Sequence, residues 1–106
     1  MKNKNLYEVE MAAILKKAGY KFKTEHRFDK VRRFRFDFVL EPIKTKIAIE
    51  VNGGHFMPYG KHTFGKSYES DLEKLNLAQI NGWIVLQYVP NSLFNVIRDL
   101  ELLGKK

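Results

Sequence analysis

Two carboxylates, Asp37 and Glu50, stand in segments of alternating polarity that a short turn could bring side by side. From Arg33 to Leu40, the residues Phe34, Phe36, Phe38 and Leu40 share one face, and Arg33, Arg35, Asp37 and Val39 share the other. Alternation with a period of two marks a half-buried strand. Lys46 to Asn52 repeats it, with Ile47, Ile49 and Val51 inward and Lys46, Ala48, Glu50 and Asn52 outward. Glu41 to Thr45 read as the turn between them, since Pro42 has no N–H to give to a ladder. Pairing Glu41 with Lys46 sets Asp37 opposite Glu50, Phe38 opposite Ile49 and Phe36 opposite Val51. A slip of one residue would send each apolar side chain to the wrong face. Side chains directly opposed in a sheet have Cβ atoms roughly 4.5–5.5 Å apart, where like charges repel.

Something cationic must offset that repulsion. One solution is a divalent metal: Mg²⁺ takes one or two carboxylates and keeps its other positions for water and phosphate oxygens. There it would lower the pKa of a bound water and stabilise charge developing on phosphorus. The other is a set of salt bridges from Arg33, Arg35 and Lys46 on the same face. A third carboxylate, Glu8, lies with Ala12, Leu15 and Gly19 along one side of a helical segment, at the margin of its core-facing stripe. Glu10 falls on a more solvent-facing side.

The elements that must position these groups follow from periodicity. Leu6 to Ala18 carries Leu6, Val9, Ala12, Ala13 and Leu15 at helical spacing and stops at Gly19. Lys21 to Phe28 reads as a short edge strand. A polar loop follows Gly53-Gly54 and runs to about Lys66. The spacing of Leu72, Leu75, Ala78 and Gln79 predicts a helix over Tyr68 to Asn81, closed by Gly82. Trp83 to Val89 is a buried strand, and Pro90-Asn91-Ser92 opens a last helix over Leu93 to Leu103. The expectation is an α/β fold: one domain, residues 1–106, with an α-β-β-β-α-β core, a mixed sheet flanked by helices, and a C-terminal helix.

Composition narrows the classes of function. The 106 residues are 44 % hydrophobic, enough for a packed core. The absence of cysteine excludes disulfides, a thiol nucleophile and cysteine-ligated metals, and fits a cytoplasmic setting. No apolar run approaches the roughly 20 residues of a membrane helix, so no membrane is expected. The net charge of +7 favours a polyanionic partner, nucleic acid first. A cluster of Arg32, Arg33 and Arg35 precedes Asp37, and Lys61, His62 and Lys66 lie in the long loop. Beside a metal site such side chains would contact phosphates without reading bases.

These motifs, in this order, resemble the PD-(D/E)XK nuclease superfamily. Its core carries an acidic residue on the first helix, an Asp on the second strand and a (D/E)-x-K on the third. The likeness is to small, often phage-encoded members with an R-F-D-F strand, an E-V-x-G-G strand end and a G-(R/K)-H loop, followed by a D-x-x-K-x-N helix and a G-W-x-V-L strand. Here Arg35 to Phe38, Glu50 to Gly54, Gly60-Lys61-His62, then Asp71, Lys74 and Asn76, and finally Gly82-Trp83 fill those places. The likeness covers roughly Leu6 to Tyr88.

The resemblance implies a restriction-endonuclease-like fold and metal-dependent hydrolysis of DNA phosphodiester bonds, structure- or end-directed rather than read from a long site. It also implies Mg²⁺ or Mn²⁺ held by Asp37, Glu50 and the main-chain carbonyl of Val51, with Glu8 as the helix carboxylate. The setting would be cytoplasm, or host cytoplasm for a phage protein, and cutting both strands would call for a homodimer. One departure matters: Asn52 stands where the motif lysine stands, and an amide supplies no positive charge. Lys74 is the expected replacement, ahead of Lys61 and His62, although it could instead pair with Asp71 one turn earlier. The alternative is a catalytically inactive nucleic-acid-binding module on the same fold, and a third reading is a basic protein–protein adaptor.

Overall fold

The computed structural model describes residues 2–52 and 66–105, with side chains for 6–52 and 69–105. Lys61, His62 and the side chain of Lys66, expected in the long loop, lie outside the described residues. The elements run α1 (Lys2–Lys17), β1 (Phe22–Asp29), β2 (Phe34–Leu40), β3 (Ile47–Val51), α2 (Lys66–Ile80), β4 (Ile84–Tyr88) and α3 (Asn95–Leu102). This is the order that periodicity predicts. The strands form one mixed sheet in the order β1-β2-β3-β4. The first three are antiparallel neighbours, whereas β3 and β4 are parallel and are joined through α2, as a parallel pair requires a crossover.

Two glycines stop the helices that flank the site. Gly19 takes φ +92°, its N–H donates to the Lys16 carbonyl, and the Tyr20 N–H donates to that of Leu15. Gly82, at φ +88°, does the same for α2: its N–H reaches Gln79, and that of Trp83 reaches Ala78. A left-handed residue here satisfies the orphan carbonyls of the last turn, and glycine has no Cβ to oppose it. The second cap turns Trp83 inward at the start of β4. Between β2 and β3 the turn contains a single 3-10 turn, Ile43–Thr45.

The hairpin register is the expected one where the ladder forms, with Phe38 opposite Ile49 and Val39 opposite Ala48. The expected pairing of Phe36 with Val51 gives way, since these two lie in separate cores. The burial differs in three places. First, β2 and β3 are covered on both faces rather than half-buried. Met11 and Leu15 of α1 pack with Phe38, Leu40, Ile49, Val51 and Tyr88, and with Val96 and Leu100 of α3. A second cluster joins Phe36, Val39 and Ala48 to Ala78 of α2 and to Trp83. Phe36 and Phe38, expected on one face, therefore belong to different cores, and strict alternation breaks at Asp37 between them. Phe36 stacks on Phe28 at 4.3 Å and leans on Trp83 at 4.9 Å.

Second, the buried stripe of α1 is Met11 and Leu15 with Tyr7, Ala12 and Ile14 at its edges. Leu6 and Val9 are 59 % and 65 % exposed, so the stripe is rotated from the one their spacing implies. Third, β4 is an edge strand: Ile84 is exposed and Val85 and Leu86 are only half-buried. Truncating Met11 to Ala should cost about 2–5 kcal/mol in urea denaturation. Val9→Ser should change stability by less than about 0.5 kcal/mol, as for a surface site. Equal losses would contradict this placement of α1.

Candidate metal centre

The β2–β3 ladder ends at Asp37 and Glu50, and the two side chains take over the bonding. The Asp37 N–H donates to Glu50 Oε2 at 2.9 Å, and the Val51 N–H donates to Asp37 Oδ2 at 2.8 Å. Each carboxylate thus accepts an amide from the opposite strand. Such charge-assisted bonds fix both the separation of the strands and the direction of the carboxylates. Asp37 is 8 % exposed and is the buried charged residue among those described.

Glu50 carries its counter-charge from α2. Lys74 Nζ donates to Glu50 Oε1 at 2.7 Å, and the same ammonium lies 5.5 Å from the centroid of the Phe36 ring. The expected alternative, a pair with Asp71, gives way to this contact. Burial pushes the Glu50 carboxyl above the usual carboxylate range, and the Asp37 charge adds to that push. The Lys74 ammonium and the Asp37 amide pull the other way without cancelling it.

Asn52, in the place of the motif lysine, turns its amide to Gln87 Oε1 on β4 at 3.1 Å. The ammonium beside Glu50 comes instead from Lys74 on α2. Among the cations considered for salt bridges, Arg35 pairs with Glu25 at 3.5 Å and Lys46 donates to the Asn81 carbonyl. Arg32 bridges Asp29 of β1 and Glu73 of α2. Arg33 is exposed at the β1–β2 connection with φ +63°.

Around Asp37 the structure gathers more carboxylates than sequence reasoning found. Single oxygens of Glu8, Glu25 and Asp37 all lie within 4.8 Å of one another. Glu8, half-buried on α1, was expected; Glu25 was not. The β1–β2 register pairs Thr24 with Phe38 and His26 with Phe36, so Glu25 falls across from Asp37, at φ +53°. Only a count back through a regular β1–β2 hairpin would lead to it. The register shift between Arg27 and Asp29 hides that count in the sequence. Oxygen donors so arranged are the set a hard divalent cation takes.

Comparison with solved structures finds the catalytic domain of the homing endonuclease I-Bth0305I. The TM-score is 0.61 at 23 % identity, covering 92 % of this chain and 89 % of that one. No protein-family profile matches the chain, and no curated protein does. Among the described residues, the three α-helices and four-stranded mixed sheet thus form an α/β fold like that of a nuclease catalytic domain.

The clustered charge has a cost that titration can read. The raised Glu50 pKa means that the folded protein takes up this proton at a higher pH than the unfolded chain. Ionised Glu50 therefore weakens the fold as pH rises through its folded pKa. Asp37→Asn keeps an acceptor for the Val51 amide and removes one charge from the group. In chelator it should raise the melting temperature at pH 7 by roughly 4–8 °C, equivalent to about 1 kcal/mol. That gain should shrink toward pH 4. A fall of similar size at pH 7 would contradict the repulsion argued here.

Proposed function

We propose that the chain is a metal-dependent endonuclease that hydrolyses phosphodiester bonds in DNA. The observation that carries this reading is the carboxylate pair at the end of the β2–β3 ladder, with a lysine ammonium on it. The likeness to an endonuclease catalytic domain supports it. The residues fit a hard cation in kind: the Asp37 and Glu50 carboxylates, bonded to amides across the strands, would hold Mg²⁺ or Mn²⁺ with the Val51 carbonyl, and Glu8 and Glu25 bring further negative charge to Asp37. When bound, such a cation supplies an activated water and stabilisation of the charge developing on phosphorus.

The chain's own groups divide the remaining work. Asp37 and Glu50 are held in direction by the amides across the ladder, so little reorganisation accompanies binding. Lys74 supplies the positive charge that Asn52 lacks, delivered from α2. Asn52 secures the end of β3 through Gln87. Arg32, Arg33 and Arg35, together with Lys61, His62 and Lys66, contact phosphates and set register. One domain of this size has little surface for reading bases, so cleavage follows the form of the DNA rather than a long sequence. Cutting both strands would call for a homodimer.

Cleavage of plasmid and branched DNA with Mg²⁺ or Mn²⁺ tests this. Asp37→Ala and Glu50→Ala should each lower the rate by on the order of 100-fold or more, with circular dichroism unchanged. Undiminished activity in both variants would overturn the assignment. Salt-dependent binding with no cleavage under either metal would instead make the chain an inactive binding module.

A further inference from the structure

We infer that Lys74 couples the divalent cation to the nucleic acid: its ammonium shares Glu50 with the cation and passes to a phosphate oxygen when DNA binds. The inference rests on the endonuclease reading and deepens it. Both oxygens of Glu50 are engaged, Oε2 by the Asp37 amide and Oε1 by Lys74. A carboxylate has about four lone-pair positions, so a cation can join it without displacing either partner. An ammonium and a divalent ion would then face each other across one carboxylate. With side-chain exposures of only 22 % and 15 % for Lys74 and Glu50, water screens that repulsion incompletely.

Lys74 also has somewhere to go. Lysine is a flexible point donor rather than a fixed fork, and the Phe36 ring beside it gives a second favourable surface for the ammonium. A phosphodiester brings the negative charge that draws the ammonium off Glu50 and relieves the repulsion. Coupling of this kind is reciprocal: the factor by which DNA tightens the cation equals the factor by which the cation tightens DNA. A Lys74 that served only to hold Glu50 in place would weaken cation binding when removed and leave the coupling unchanged.

Isothermal titration of the full chain with Mn²⁺, alone and with a short phosphorothioate DNA duplex that keeps its charge but resists hydrolysis, separates these cases. Lys74→Met should bind Mn²⁺ about tenfold more tightly than the wild type in the absence of DNA. The phosphate itself can give the cation a ligand in either protein, so the signature is a difference. The DNA-induced tightening in Lys74→Met should be about tenfold smaller than in the wild type. Lys74→Arg, which keeps the charge, should retain most of the coupling, and Lys74→Gln repeats the neutral variant if Met disturbs the fold. Equal or weaker Mn²⁺ binding in the neutral variants, with coupling intact, would overturn the inference alone. No Mn²⁺ binding by the wild type, with or without DNA, would overturn the endonuclease reading together with it.

Discussion

The exchange of amide bonds between Asp37 and Glu50 governs the middle of this molecule. Regular pairing of β2 and β3 reaches Phe38 and Ile49, and beyond that point each strand gives an N–H to the other strand's carboxylate. Two buried amides that a ladder would have paired are satisfied by charged acceptors instead. The same step separates Phe36 from Phe38. One goes to the aromatic cluster beneath α2 and the other to the core shared by α1 and α3. The break in alternation and the carboxylate site are thus one feature seen from two sides.

Negative charge gathers at this point of the sheet. Asp37 is buried, Glu8 and Glu25 approach it, and Glu50 is held above the ordinary carboxylate range by burial and by the Asp37 charge. The Lys74 ammonium offsets part of this. The fold tolerates the remainder because the rest of the sheet is well packed, with Val39, Ala48 and Ile49 fully buried. Local destabilisation of this sort is what functional sites commonly carry.

Much of this was legible in the residues themselves. The hairpin register follows from matching Phe38 to Ile49 under a period of two, and it places Asp37 against Glu50 correctly. Lys74 is singled out in the sequence because Asn52 occupies the place of the motif lysine, and the structure sets its ammonium on Glu50. Glu25 could not be read in the same way, since its place depends on a hairpin with an irregular end. The two-sided burial of β2 was hidden by Arg33 and Arg35, which are exposed near its start while Val39 is wholly buried further along. The face of α1 was misjudged because Leu6 and Val9 are apolar yet stay in solvent, so spacing alone selected the wrong stripe.

The central claim is that Asp37 and Glu50, held by each other's strands, form a single cation site. Paramagnetic broadening of amide resonances by Mn²⁺ reads it without any substrate. Substoichiometric Mn²⁺ should erase the amide signals of Asp37 and Val51 first and saturate at one ion per chain, with both effects lost in Asp37→Asn. Broadening confined to acidic residues elsewhere, such as Glu69 or Glu101, with the Asp37 and Val51 amides untouched, would contradict the account.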